Sequence, residues 1–214
     1  MTLRYCEKVV LKIWFDDNYP ALLDFFNSVS IIYKMHKNKS FSELLKTPHQ
    51  IVQGTYGLRP MSEKDRSCVK DLFDHLSSKS RYYRYYQYLN DLPEDLLNKI
   101  VQANRKDDLA IGAFLQHDNS EEKTLIGIVR YVEESIPGEA EFSISVRDDF
   151  QHEGVGSHLM EIIFRAAQEN GYKKLHGYVM SDNHEMLTLM SNLGAECTRD
   201  PDDMTMMITT FTVK

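Results

Sequence analysis

Three apolar-rich stretches, Leu109–Leu115, Leu125–Val132 and Ala140–Val146, follow one another with only the polar gaps His117–Lys123 and Glu133–Gly138 between them. Gaps this short join antiparallel neighbours, because a parallel partner needs a crossover of about a dozen residues or more. A three-strand meander is therefore the frame on which the rest must be built. Directly behind it, Val155, Leu159, Ile162, Ile163 and Ala166 form a helical stripe that stops at Asn170-Gly171, a left-handed terminator. Lys174–Met180 then reads as a strand, Asn183 caps a helix through Met186, Met190 and Leu193, and Met204–Val213 closes as a strand. The fold class is α/β (α+β): a mixed sheet, an antiparallel meander followed by strand-helix-strand-helix-strand.

Upstream, Thr55–Leu58 is a strand, and Ser62, with Asp65 three residues on, opens a helix carrying Val69, Leu72, Phe73 and Leu76. Ser80–Leu89 is aromatic, basic and helical, and Pro93-Glu94-Asp95 begins another helix. The start of the chain has its own pattern: Val9–Phe15 alternates like a strand, Ala21–Tyr33 reads helical, and Pro48 breaks the run. We expect residues 1–52 to form a small N-terminal strand-helix extension and residues 53–214 the main domain, a division that suits 214 residues.

Charge and composition exclude several functions. Twenty-five basic against 32 acidic side chains give a net charge of −7, which disfavours nucleic acid and anionic membrane surfaces as partners. Cys6, Cys68 and Cys197 form no Cys-x-x-Cys pair, so neither a zinc knuckle nor a thioredoxin-type site is expected. No uncharged apolar run reaches the ~20 residues of a membrane span. Glu7, Lys8 and Lys12 interrupt the first apolar stretch, where a secretory leader would need a continuous core. A cytoplasmic location is the expectation.

The chemistry concentrates at Gln151-His152-Glu153-Gly154-Val155-Gly156, immediately before the long helix. Glycines at a helix start let an anion approach the free N–H groups of the first turn and the positive end of the helix dipole. The same pattern also describes a tight turn without a ligand. Leu159 stands where a dinucleotide fingerprint needs its third glycine, and Gly-Lys-Ser/Thr never occurs, so two familiar phosphate motifs are excluded. On the preceding strand, Ala140, Phe142, Ile144 and Val146 face one side, while Glu141, Ser143 and Ser145 face the other. A carboxylate on that small, uncharged face is either a general base or a solvated strand glutamate. His184-Glu185 lacks the second histidine of a zinc-protease motif because Thr188 stands there, and no metal is expected. Arg81-Tyr82-Tyr83-Arg84-Tyr85-Tyr86 interleaves bases and aromatics as a single-strand nucleic-acid binder does; the acidic chain favours a helix lining a cleft.

Together these residues resemble the GNAT superfamily of acyl-CoA-dependent N-acetyltransferases, whose phosphate loop reads Gln/Arg-x-x-Gly-x-Gly/Ala. Within it, Gly57-Leu58-Arg59-Pro60, Ser80-Arg81-Tyr82…Arg84, Ala140-Glu141-Phe142 and Asn183-His184-Glu185-Met186-Leu187 are similar to bacterial Pat-type protein lysine acetyltransferases. The resemblance implies acetyl-CoA as cosubstrate and a protein lysine or small amine as acceptor. It implies that backbone groups of Ile144, Ser145 and Val146 pair with the pantetheine arm. It places the pyrophosphate on N–H groups around Gln151, His152, Glu153, Gly154, Val155, Gly156 and Ser157, and Asn183 near the thiol end. Val146 N–H is implied as the donor to the thioester carbonyl and Glu141 as the general base. The chain departs from the family in two respects. Leu189 and Met190 stand where many members carry a proton-donating tyrosine, and Glu153 falls where a base is common. A polyamine acceptor, a non-catalytic acyl-CoA-binding role and a homodimer are left open.

Overall fold

The structure, a computed structural model, describes residues 39–116 and 123–213. The strand and helix read from the sequence at 9–15 and 21–33 lie outside the described residues. One compact unit starts at Lys39, ahead of the boundary expected at residue 53. Helix α1 (Phe41–Lys46) and strand β1 (His49–Ile51) belong to it. A capping box starts α1: Ser40 Oγ accepts from Glu43 N, and the Glu43 carboxylate accepts from Ser40 N at 2.7 Å. Leu44 is buried, and Phe41, Leu45 and Ile51 pack on the same core. Those apolar side chains are why the segment folds with the sheet rather than apart from it.

Beyond β1, the strands are β2 (Gly54–Pro60), β3 (Asp108–Leu115), β4 (Thr124–Glu133), β5 (Glu139–Val146), β6 (Lys174–Met180), β7 (Glu196–Arg199) and β8 (Met206–Thr212). They form one sheet in the order β1-β2-β3-β4-β5-β6-β8-β7. The β3-β4-β5 meander is antiparallel as expected, and β5 pairs with β6 in parallel. The edge strand β7 was not expected: Glu196-Cys197-Thr198-Arg199 carries no apolar alternation, and most of it is exposed. It takes up part of the segment between Asn183's helix and a final strand that begins at Met206 rather than Met204. Met204 itself is exposed.

Both faces of the sheet are covered. Helix α5 (Val155–Glu169) lays Leu159, Ile162, Ile163 and Ala166 against Ile111, Val129, Ala140, Phe142 and Ile144. On the opposite face, α2 (Arg66–Asp74) and α4 (Glu94–Val101) bury Val69, Leu72, Phe73, Leu97 and Ile100 against Ala110, Phe114, Leu125 and Ile128. Between α2 and α4 lies α3 (Ser78–Tyr85), shorter than the expected Ser80–Leu89 because Tyr86 turns left-handed, with φ 56°. Arg81, from the aromatic–basic run, is architectural. Its guanidinium donates to the carbonyls of Phe73, Asp74 and Leu76 at 3.0–3.1 Å, satisfying the otherwise unpaired end of α2. Helix α6 (His184–Asn192) completes the domain, with Asn183 Oδ1 accepting from Met186 N at 3.2 Å as its cap.

Candidate active site

The site begins where the sheet stops pairing. β5 and β6 are joined over Glu139↔Lys174, Ala140↔Leu175 and Glu141↔His176 only. Both strands run on, β5 paired outward to β4 as far as Val146 and β6 paired outward to β8 as far as Met180. The facing edges of the two strands therefore diverge into a wedge with unpaired backbone groups on each side. Arg147 N donates outward to Ile126 O at 2.9 Å. Strand alternation then turns the backbone of Ser145 toward β4 and that of Ile144 and Val146 into the wedge. Gly177 sits just past the last pair: a Cβ there would lie 2.9 Å from the Phe142 ring and 3.0 Å from Phe142 O. Only glycine lets the two backbones come this close at the point of divergence.

The glycine loop stands at the end of β5. Buried Arg147 fixes the turn, donating to Asp149 at 2.8 and 3.0 Å and to Asp71 of α2 at 3.3 Å. Gln151 Nε2 folds back onto Val146 O at 3.1 Å, so its side chain holds the turn rather than facing a ligand. His152 and Gly154 have positive φ, 63° and 84°, and Gly154 is the helix N-cap with no side chain capping the end. The first-turn N–H groups of Val155, Gly156 and Ser157 thus keep their capacity to bind an anion. Val155's side chain is buried, so this residue offers only backbone. A Cβ on Gly156 would meet Leu189 of α6 at 3.3 Å and Val146 at 3.9 Å, which places loop, wedge and Asn-led helix together. Glu153, the departure from the family pattern, points to the β1–β2 turn, where its Oε2 accepts from Val52 N at 2.7 Å.

The other end of the wedge is made of side chains from four elements. Glu141 is exposed at the last pair, on the face opposite Ala140 and Phe142. Ser143 Oγ accepts from Arg84 Nη2 of α3 at 2.8 Å. Tyr86 Oη donates to Tyr178 O on β6 at 2.6 Å, so the C-terminal end of α3 reaches both walls of the wedge. Desolvation raises the Tyr86 phenol above its ordinary pKa; Arg84 works against this shift and Glu141 with it. Asn183, half-buried, uses Oδ1 for its cap and retains its amide donors. Glu141, the loop and Asn183 stand out in the sequence; Arg84 and Tyr86 read there only as part of a cleft-lining helix, and Tyr178 is not singled out. Near the junction, Glu134, Glu139 and His176 bring potential metal-ligand atoms within 4.8 Å of one another, and Lys174 pairs with Glu139 at 3.0 Å.

The sequence that builds this arrangement matches a known family. The acetyltransferase (GNAT) domain model covers residues 56–196. The chain belongs to the GNAT acetyltransferases. It is 28% identical over 151 residues to acetyltransferase PA5475 of Pseudomonas aeruginosa, spanning 71% of this chain and 80% of that one. A shorter stretch of 61 residues is 36% identical to acetyltransferase Pat of Mycolicibacterium smegmatis, 28% of this chain and 18% of that protein. In fold, it resembles the GNAT domain of S. lividans PAT, with a TM-score of 0.69 at 23% identity, covering 78% of this chain and 96% of that domain. GNAT enzymes use acetyl-CoA as cosubstrate. No helix among the described residues is long and apolar enough to cross a membrane.

Proposed function

We propose that this GNAT enzyme transfers an acetyl group from acetyl-CoA to a primary amine, a protein lysine, with Glu141 as general base, in the cytoplasm. The wedge carries this reading: it sets an uncapped helix start at one end and a carboxylate at the other. The residues fit the cosubstrate. Uncapped N–H groups at Val155–Ser157 suit a pyrophosphate, and the unpaired edge at Ile144 and Val146 suits an extended amide chain. Asn183 lends its amide near the thiol end.

A lysine amine has a pKa of about 10.4, so presenting it neutral at pH 7 costs about 4–5 kcal/mol. Glu141 takes the ammonium proton and the neutral amine nitrogen attacks the thioester carbonyl; the new C–N bond forms, the C–S bond breaks with its electron pair on sulfur, and the second N–H proton passes to that thiolate to give the thiol. Backbone N–H groups stabilise the oxyanion. Along an extended strand Ile144 lies ~10 Å and Val146 ~16 Å from Glu141. Ile144 N–H is therefore the nearer donor, and the proton reaches Glu141 through water. The test is Glu141→Gln, which keeps the shape and removes the basicity. Thiol release with a lysine peptide should fall by ~10²–10⁴, with acetyl-CoA affinity held. A mutant that keeps its rate removes Glu141 from the chemistry, and a preference for polyamine over peptide moves the acceptor to small amines.

A further inference from the structure

Arg84 stands apart among the arginines of the described residues. Every other arginine among the described residues donates to a carboxylate or to a carbonyl oxygen. Arg84, half-buried on α3, makes one hydrogen bond, to the neutral hydroxyl of Ser143, and no ion pair among the described residues. Its guanidinium lies 5.1 Å from the Tyr85 ring centre. A partly desolvated guanidinium normally finds an anion, because removing it from water without one is unfavourable. Two residues along the same strand face, Ser145 is 8% exposed, and its Oγ is buried without a hydrogen-bond partner. A buried hydroxyl is rarely left so. The two serines flank Ile144, whose N–H faces the wedge. A guanidinium without an anion and a hydroxyl without a partner thus lie on one strand face, on either side of Ile144, between Glu141 and the loop.

We propose that Arg84, with Ser143 and Ser145, forms a subsite for a carboxylate positioned next to the scissile thioester. The inference rests on the acyl-transfer reading of the wedge. A carboxylate suits this set: the guanidinium fork can give it two parallel N–H bonds, and Ser145 Oγ can add a third donor. It can arrive on either reactant, as the far end of a dicarboxylic acyl chain or as an acidic group beside the acceptor amine.

Two measurements separate the sources. Calorimetry with acetyl-CoA and succinyl-CoA reads the acyl source without requiring turnover. Thiol release with Nα-acetyl-lysine and its C-terminal amide reads the acceptor source through their kcat/KM ratio. In one arm the carboxylate-bearing member should be preferred by ~10–100-fold, the effect of a charge-assisted pair. Arg84→Gln should bring that ratio near unity, Arg84→Lys should restore part of it, and Ser145→Ala should lower it by a few-fold. Ser145→Ala leaves the α3–β5 contact in place, so it reports even if Arg84→Gln fails to fold. No preference in either arm, or Arg84→Gln lowering both members of each pair equally, overturns the subsite. Discrimination in binding without turnover on any amine supports the subsite and overturns the transferase reading instead.

Discussion

The two ends of the wedge are built by different means. At the loop end, every group suited to an anion is a backbone N–H, presented by a helix start with positive φ at His152 and Gly154. Toward the junction, the groups are side chains from β5 and the C-terminal end of α3: Arg84, Tyr86, Glu141 and Ser143, with Ser145 between them and the loop and Tyr86 anchored on the backbone carbonyl of Tyr178. A backbone site tolerates almost any neighbouring side chain, as Glu153 illustrates by turning away to Val52. A side-chain site is defined by its particular residues. On the function proposed above, the loop end binds the cosubstrate and the other end selects among substrates.

Substitution at each end should break a different property. Gly156→Asp puts a carboxylate beside the uncapped N–H groups and into contact with Leu189. Acetyl-CoA affinity by calorimetry should fall by ~100-fold or more, with native circular dichroism; unchanged affinity would place the phosphates elsewhere. Glu141→Gln should leave that affinity intact and act on turnover alone.

This contrast also explains what could be read from the sequence. The meander strands appear within a residue of their expected ends, and the loop and Asn183 cap stand where their motifs put them, because turn chemistry and periodicity are local signals. The wedge is an absence of pairing between β5 and β6, which no period encodes; Gly177 is its only sequence trace, and a lone glycine in a strand has several meanings. The bond from Arg84 to Ser143 joins residues 59 positions apart, beyond any spacing rule. Helix α1, strand β1 and strand β7 escape the sequence pattern for a different reason: at six, three and four residues they are too short to show a period, and β7 is largely polar as well.

Gly177→Val sharpens the comparison at the point where the ends meet. Its added carbons must displace Phe142 or the Phe142 carbonyl, so unfolding should become easier by about 3 kcal/mol, the upper part of the overpacking range. A denaturant midpoint equal to the wild type would mean that β5 and β6 do not approach there.

A smaller effect, remote from both ends, serves as a control. Asp65 is buried at the start of α2, where its carboxylate accepts from both Arg59 Nη atoms at 2.6 and 2.8 Å and from Ser62. Burial pushes this carboxyl up, but the bonds from Arg59 and Ser62 outweigh it and hold the group below its ordinary pKa. With a lowered folded pKa, the stabilisation is complete above about pH 4 and is lost as pH falls through the folded value. Asp65→Asn should therefore cost roughly 1–2 kcal/mol at pH 7 and flatten the loss of stability below pH 4. Acetyl-CoA affinity should not move; a change there would tie α2 to the cosubstrate.

The central claim, that the cosubstrate lies in the β5–β6 wedge with its phosphates on the helix start, is tested most directly by amide hydrogen exchange with and without acetyl-CoA. Slowed exchange should concentrate at the N–H groups of Ile144 and Val146 and of Val155–Ser157, while Ser145, whose backbone already faces β4, changes little. Protection elsewhere on the domain, with those amides exchanging as they do in the free protein, would contradict it.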